Sequence, residues 1–278
     1  MTNWRITSLC IGELYLPHGG AIQRDPIHVW LAQDGTHNVL IDSGMTDIAI
    51  ITKRLKVSGW GGGHGELTRV LATKGLTPAD IDHIVLTHAH FDHAENLDLF
   101  PDACVVIQRD EVQHLLDPMP SHRVFCWDTT AVNLAQRRRP KQIRMLDGDE
   151  QLFDGFRVLK VPSHTPGMQV PIITTEKGKV ALASDLGDHY KYWFPADARA
   201  TSTPQRSLSD VFMTGNLRTE SEGDWQAAMR RVRDNSDIVI PAHDFRIPVN
   251  IPDDWWAIPE STDGDLAFVP PETSADKS

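Results

Sequence analysis

Residues 87–93 read Thr87-His88-Ala89-His90-Phe91-Asp92-His93 and directly follow the apolar run Ile84-Val85-Leu86. The segment packs three histidines and one aspartate into six consecutive residues. Imidazole and carboxylate groups are the preferred protein ligands of zinc and similar divalent ions. The alternative is a solvated polar turn that happens to be rich in histidine. We interpret the segment as part of a metal site, because a soluble fold has no other need to place these groups so close together.

Three more predicted strands end near a potential metal ligand. His164 follows the strand predicted at 156–161, Asp185 follows 180–184, and His243 follows 238–240. A single histidine at a strand end is more often structural. Strand ends at one edge of a sheet lie side by side, however, and α/β proteins build their sites there. Together with His88, these positions favour one shared site.

Predicted strands alternate with predicted helices through much of the chain, which favours an α/β fold with βαβ units. Among the helices are predictions at 47–55, 66–74, 94–100, 110–116 and 223–235. The glycine-rich segment 59–65 is predicted to be a mobile surface loop, or a lid that brings Trp60 and His64 to a substrate. One domain is predicted over 1–258, followed by an acidic, disordered tail over 259–278.

Composition limits the classes of partner. The chain has 278 residues, 40% of them hydrophobic, which is enough for one large core. Its 38 acidic and 27 basic residues give a net charge of −11, which opposes binding to nucleic acid or to an anionic membrane. Three cysteines do not form a disulfide framework. No long apolar run marks a signal peptide or a membrane span, so a cytoplasmic location is the expectation.

The ligand pattern resembles that of the metallo-β-lactamase superfamily. The matching motifs are His88-x-His90-x-Asp92-His93, His164 in Ser-His-Thr-Pro-Gly, Asp185 after a strand, His243 in Pro-Ala-His-Asp, and Leu40-Ile41-Asp42-Ser43-Gly44. The resemblance implies an α/β fold, namely an αββα sandwich of two mixed β-sheets flanked by helices. It also implies a first metal ion on His88, His90 and His164. A second ion would bind Asp92, His93 and His243, and Asp185 would bridge the two. Asp42 would orient a ligand, or serve only as a strand-end cap.

The resemblance therefore implies two divalent ions, zinc in the first place, with manganese or iron as alternatives. A hydroxide bridging the ions would attack a carbonyl carbon. Asp92 is a candidate to accept the proton and pass it to the leaving group, or it is purely a ligand.

Within the superfamily the sequence resembles N-acyl homoserine lactonases and related lactone hydrolases, through residues 40–45, 88–94, 105–111 and 164–169. Those lactonases have a tyrosine three residues after the bridging aspartate, where this chain has Asp188. Tyr190 and Tyr192 are therefore the candidate catalytic tyrosines. The expected function is the opening of a lactone. A thioester hydrolase of the glyoxalase II type and a non-hydrolytic, iron-dependent member of the superfamily are the alternatives.

Other activities are less favoured. The acidic charge argues against a nuclease or phosphodiesterase, and the missing export signal argues against a β-lactamase. Residues 188–222 are predicted to form a wall of the substrate pocket, or else an aromatic cluster that anchors a long loop to the core. Trp255-Trp256 is predicted to cover the same edge of the pocket, or else to dock the C-terminal tail. The predicted partner is a small molecule with an apolar or aromatic part, without nucleic acid or membrane. A homodimer is left open.

Overall fold

Two β-sheets and their flanking helices make up the fold. The computed structural model describes residues 3–18, 21–137, 141–194, 221–244 and 247. The strands are β1 Arg5–His18, β2 Ala21–Gln33, β3 Asn38–Ile41, β4 Ser58–Gly61, β5 His83–Val85, β6 Cys104–Gln108, β7 Ile143–Leu146, β8 Glu150–Phe153, β9 Phe156–Lys160, β10 Gln169–Thr175, β11 Gly178–Ser184 and β12 Ile238–Pro241. The helices are α1 Ile48–Leu55, α2 Gly63–Ala72, α3 Arg109–Leu116, α4 Asp128–Gln136, α5 Tyr190–Trp193 and α6 Glu222–Arg233.

Both sheets are mixed. Among the described residues, the first has the strand order β4-β1-β2-β3-β5-β6-β7 and the second β12-β11-β10-β9-β8. In the first sheet, β1 pairs antiparallel with both β2 and β4, and β2 pairs antiparallel with β3. The strands β3, β5, β6 and β7 then run parallel to one another. In the second, β8 to β11 are antiparallel and β12 runs parallel to β11. The predicted αββα sandwich of two mixed sheets is confirmed.

Three apolar layers hold the sheets and helices together. Val39 and Ile41 of β3 lie in the layer between the two sheets, whereas Leu40 lies in the layer beneath α1 to α4. The parallel strands of this sheet are thus covered by apolar layers on both faces. For this reason the sequences of β5 and its neighbours are continuous apolar runs. The third layer lies between the second sheet and α6. The helix contributes Trp225, Ala228, Met229 and Val232 to it.

Strand ends of both sheets place the predicted ligands. His88 follows β5 in the first sheet. His164, Asp185 and His243 follow β9, β11 and β12, which all run in the same direction in the second sheet. The first sheet therefore supplies the ligand segment 88–93, and the second sheet supplies three separate ligands.

Glutamine side chains join the two sheets at this edge. The backbone N–H of Gln169 donates to the Thr87 carbonyl oxygen at 2.9 Å, and its buried side-chain amide donates to the Leu86 carbonyl oxygen at 2.8 Å. Gln108 in turn donates to the Gln169 side-chain oxygen at 2.8 Å. These buried hydrogen bonds fix the position of β10 relative to the start of the histidine segment.

Two local predictions are wrong. The helix expected at 94–100 is only a 3₁₀ turn at Leu97–Leu99, because Asn96 has a φ of 62° and its side chain donates to the carbonyl oxygens of residues 43 and 45. The loop expected at 59–65 instead contains β4, which pairs with β1, and the start of α2. Trp60 of β4 donates to Glu13 Oε2 at 3.2 Å, which anchors this edge strand.

Within the described ranges, no helix is both long and apolar enough to cross a membrane. The predicted tail at 259–278, Trp255-Trp256 and residues 195–220 of the predicted pocket wall lie outside the described residues. The boundary at residue 258 and the cytoplasmic location stay predictions.

Candidate metal centre

Three histidines form the first group of donors. One donor nitrogen each from His88, His90 and His164 lies within 4.8 Å of the other two, and His164 Nε2 is 3.0 Å from His90 Nδ1. All three residues are at most 1% exposed. His88 Nε2 has no hydrogen-bond partner among the described residues, and an unsatisfied buried nitrogen is costly. A cation bound to its lone pair would satisfy this atom.

A second group of donors lies beside the first. It consists of Asp92, His93, Asp185 and His243, with donor atoms within 4.8 Å of one another. The Nε2 atoms of His93 and His243 are 3.2 Å apart. Each ring is held at its other nitrogen, since His93 Nδ1 lies 2.8 Å from Asp42 Oδ2 and His243 Nδ1 lies 3.0 Å from the Pro26 carbonyl oxygen. Such contacts fix the tautomer of a ligating histidine and aim its free nitrogen at the metal.

Asp185 lies between the two groups. Its Oδ2 atom is 3.4 Å from His164 Nε2 and 3.9 Å from His88 Nε2. Its Oδ1 atom is 3.2 Å from His93 Nε2 and 3.1 Å from His243 Nε2. One carboxylate oxygen therefore faces each group.

Asp42 supports the segment that carries the ligands. Its carboxylate accepts the backbone N–H of Thr87 at 2.7 Å and the Thr87 hydroxyl at 2.8 Å, in addition to its contact with His93. Asp42 itself has a φ of 61°, a left-handed conformation in which aspartate is tolerated better than most residues. The structure thus places Asp42 behind His93 and at the end of β3 at the same time.

The charge balance of the centre suits a cation. Burial alone would raise the pKa of the Asp185 carboxyl, but the imidazoles of His93 and His243 hold that pKa well below its usual value. Burial would lower the pKa of His243, but Asp185 raises it to about 9. Burial and the neighbouring His93 keep the pKa of His88 well below its usual value, so this ring is neutral. The chain therefore concentrates protons on the second group, where a divalent ion would replace them.

A cavity of about 430 Å³ opens onto the second group of donors. Its polar wall includes Asp92, Asp185, Asp188 and His243. The apolar part of its lining comprises Leu14, Leu16, Pro17, Leu55, Val57, Phe91, Val124 and Phe125. The centre thus combines a polar floor with apolar walls, which is the usual character of a small-molecule site.

The two candidate tyrosines lie in different places. Tyr192 lines the cavity together with Asp188 and Lys191. Tyr190 is 3% exposed and packs in the layer between the sheets, and its backbone N–H donates to Asp244 Oδ2. Residues two apart on a helical turn point in different directions, so α5 brings only the second tyrosine to the cavity. The expectation that Tyr190 acts in catalysis finds no support in this placement.

The predicted lid residues do not reach the cavity. Neither Trp60 nor His64 belongs to the described residues that line it. His64 Nε2 lies 3.0 Å from Asp98 Oδ1 at the exposed surface.

Glu111 is a positioning residue that the sequence did not single out. Its buried carboxylate accepts the backbone N–H of Ala89 at 2.8 Å, the Thr165 hydroxyl at 2.7 Å and the Gly167 N–H at 3.0 Å. Ala89 lies between two ligands of the first group, and Thr165 directly follows the third. Glu111 therefore ties together two turns that are far apart in sequence, and no local pattern could have shown this.

Two further carboxylates are linked beside the cavity. His189 Nδ1 lies 3.1 Å from Asp188 Oδ1, and His189 Nε2 lies 3.6 Å from Asp25 Oδ1. Burial would lower the pKa of His189, but Asp188 raises it. Asp188 also touches the second group directly, because its carbonyl oxygen accepts the His243 backbone N–H at 2.9 Å.

Comparison with known proteins agrees with this architecture. A family model described as the metallo-beta-lactamase superfamily matches residues 22–243, which include both groups of donors. The chain belongs to the metallo-beta-lactamase superfamily. The predicted kinship with its metal-dependent hydrolases is therefore confirmed at the level of the family.

The curated relatives include proteins named N-acyl homoserine lactonase. One from Bacillus cereus is 25% identical over 165 residues, which cover 56% of this chain and 62% of that relative. One from Bacillus thuringiensis is 26% identical over 202 residues, 69% of this chain and 76% of the relative. The match thus spans about three fifths of the length of the Bacillus cereus protein. The expected resemblance to lactonases is confirmed.

Solved structures share the fold. A Bacillus thuringiensis AiiA variant with N-decanoyl-L-homoserine bound at its active site has a TM-score of 0.68 and 20% identity, over 88% of this chain and 95% of the other. A probable metal-dependent hydrolase from Staphylococcus aureus has a TM-score of 0.69 and 17% identity, over 88% and 90% of the two chains. At these identities the similarity concerns the fold.

Proposed function

We propose that this chain is a dinuclear metal-dependent hydrolase that opens lactones by adding water across the ring ester bond. The position of Asp185 is the observation that supports this most, because one oxygen of its carboxylate faces each group of donors. His88, His90 and His164 would hold the first ion, and Asp92, His93 and His243 would hold the second. Asp185 would bridge them.

The donor set suits zinc, and also manganese or iron, because it contains only imidazole and carboxylate. When bound, such ions lower the pKa of a water from about 15.7 towards about 7 and polarise a carbonyl group. His88 Nε2, buried without a hydrogen-bond partner in the described structure, fits a metal ligand better than a structural histidine. Asp42 would orient His93 toward the ion through the hydrogen bond at Nδ1.

Two side chains of the cavity would handle protons and the carbonyl group. The Asp92 side chain is 12% exposed, against 5% for His243, so Asp92 is the more accessible of these two lining residues. It would take the proton that the attacking water loses and give it to the ring oxygen as the acyl C–O bond breaks. Tyr192 would donate its hydroxyl to the carbonyl oxygen, on which negative charge develops.

The cavity favours a neutral substrate with an apolar part. Its apolar walls suit an acyl or aromatic substituent. The side chains of Asp25, Asp92 and Asp188 lie on the same described lining as a single lysine, Lys191, so the protein groups of the lining disfavour a substrate that already carries a carboxylate or phosphate. Nucleic acid stays a disfavoured partner for this reason.

A substrate panel tests the proposal. The metal-loaded chain is assayed on lactones with short, long and aromatic substituents, and on thioesters, β-lactams and phosphodiesters, with proton release as the readout. We expect the fastest turnover with neutral lactones. Hydrolysis of a thioester, β-lactam or phosphodiester without lactone turnover would show that the substrate class is wrong. Elemental analysis should find at least two metal ions per chain, and its identification of the metal tests the iron alternative.

A further inference from the structure

A second cluster of histidines, with one cysteine, lies beside His90. His114 belongs to α3, and His122 and Cys126 belong to the segment between α3 and α4. All four residues are at most 7% exposed. Donor atoms of His90, His114 and Cys126 lie within 4.8 Å of one another. None of the four residues is among the described cavity lining, so the cluster lies outside the cavity and shares only His90 with the centre.

Backbone contacts hold this cluster in place. Residue Cys126 forms an antiparallel β-bridge with His90, and the Phe91 N–H donates to the Phe125 carbonyl oxygen at 2.9 Å. His122 adds a further imidazole, with its Nδ1 atom 3.2 Å from His114 Nε2. Its ring centroid is 5.4 Å from that of His90. The donors therefore meet through three chain segments rather than through a single turn.

The separations between the donor atoms of this cluster are compatible with a metal site. Two donors on one tetrahedral zinc ion lie about 3.3–3.8 Å apart, given bonds of about 2.0–2.3 Å. The donor atoms of His90, His114 and Cys126 lie within 4.8 Å of one another, and small side-chain rotations would bring them to the separations that a bound ion requires. An apolar layer surrounds the cluster, since Ala89, Leu115 and Trp127 belong to the same core. Burying three imidazoles in such a layer is costly unless they are paired or bind a cation.

The thiol separates this cluster chemically from the centre described above. Every donor of the centre is an imidazole or a carboxylate, whereas Cys126 offers sulfur. Thiolate selects zinc, cadmium and copper(I) over harder ions such as magnesium. Cys10 and Cys104 lie elsewhere, in β1 and β6, and belong to no donor group among the described residues.

We propose that His90, His114 and Cys126 form an accessory site for a soft metal ion, next to the centre and sharing His90 with it. His122 supports the site through His114. The site does not depend on the proposed hydrolase activity, because it lies outside the cavity and its test does not use turnover.

Cobalt(II) spectroscopy on the full chain tests this site. Cobalt replaces zinc, and a cobalt–thiolate bond gives a charge-transfer band in the near ultraviolet that imidazole and carboxylate ligands do not give. We expect the metal-free chain to develop this band on titration with cobalt(II). Cys126→Ser should abolish it and His114→Gln should weaken it, while both keep the visible cobalt bands of the His/Asp centre. Cys104→Ser is the matched control and should keep the band.

The outcomes are distinct. Retained visible bands show that each variant is folded and still binds cobalt at the centre. If the unsubstituted chain shows no thiolate band, or if Cys126→Ser keeps it, the proposed site does not exist and the cluster is a hydrogen-bonded support for His90. Neither result bears on lactone hydrolysis, which the substrate panel measures separately.

Discussion

The carboxylate of Asp42 contacts His93 Nδ1 at 2.8 Å while it accepts the Thr87 N–H at 2.7 Å. One buried side chain therefore holds both ends of the segment that carries four candidate ligands. We expect Asp42→Asn to lower metal affinity about 10–100-fold, because supporting residues of this kind contribute that much. A titration against a competing chelator measures the change. Asp98→Asn, which removes only a surface contact with His64, is the control, and equal affinity in both variants would contradict the role of Asp42.

The bridging role of Asp185 has its own test. Asp185→Asn removes the charge that faces both groups, so we expect the chain to hold at least about one metal ion less than the unsubstituted chain and turnover to fall at least about 100-fold. Asp188→Asn should keep its metal, because Asp188 lines the cavity but belongs to neither group of donors. Elemental analysis and the hydrolysis rate are measured on the same samples. A full metal content in Asp185→Asn would refute the bridge.

Glu111 should make stability depend on pH. Burial raises the pKa of Glu111 to about 7 from a usual 4.5. Between these values the unfolded chain has lost the proton and the folded chain still holds it, so rising pH favours unfolding. The contribution of Glu111 to the free energy of unfolding falls by roughly 3 kcal/mol across this pH window, at about 1.4 kcal/mol per pKa unit.

Urea unfolding of the metal-free chain and of Glu111→Gln, at several pH values, measures this contribution. The free energy of unfolding of the unsubstituted chain should fall, relative to that of the variant, between about pH 4.5 and pH 7. Parallel pH dependences for the two proteins would show that Glu111 does not titrate in this window.

Gly167 leaves room for Glu111. A Cβ atom at this glycine would lie 2.2 Å from the backbone nitrogen of Glu111, a contact that backbone atoms must move to relieve. We expect Gly167→Ala to destabilise the fold by about 2 kcal/mol or more and to weaken metal binding. Gly65→Ala is the control, since nothing lies within 4 Å of its added Cβ and alanine favours the helix. Thermal unfolding of both variants checks this expectation.

The two tyrosines should respond differently. Tyr192→Phe removes the hydroxyl of a residue that lines the cavity, and we expect kcat to fall at least about 100-fold with metal content unchanged. Tyr190→Phe, in the layer between the sheets, should leave kcat nearly unchanged and affect stability alone. Steady-state kinetics on the best lactone of the panel decides. A larger loss of kcat in Tyr190→Phe would reverse the assignment.

The fold and the shared location of the candidate ligands could be predicted from the sequence, because each pattern that indicates them lies within a short stretch of residues. His88, His164, Asp185 and His243 each follow an apolar strand, and strand ends meet at one sheet edge. Helices such as α1 and α6 also lie close to their predicted positions, because one apolar face repeats at helical spacing.

The rest depends on contacts that no short stretch of sequence contains. Glu111 reaches its partners from 22 and 54 residues away. The difference between Tyr190 and Tyr192 depends on how a single helical turn is rotated. The helix expected at 94–100 fails because the Asn96 side chain binds distant backbone groups, which outweighs helical propensity.

The division of ligands between the two sheets has a consequence for assembly. The first sheet carries four of the seven candidate ligands and the second carries three, so neither half of the chain holds a complete pair of sites. Under the proposed ligand assignment, a newly made polypeptide must dock its halves before it can load both ions. Binding of both ions then follows the docking of the two halves during folding, and the bound ions stabilise the docked arrangement against separation.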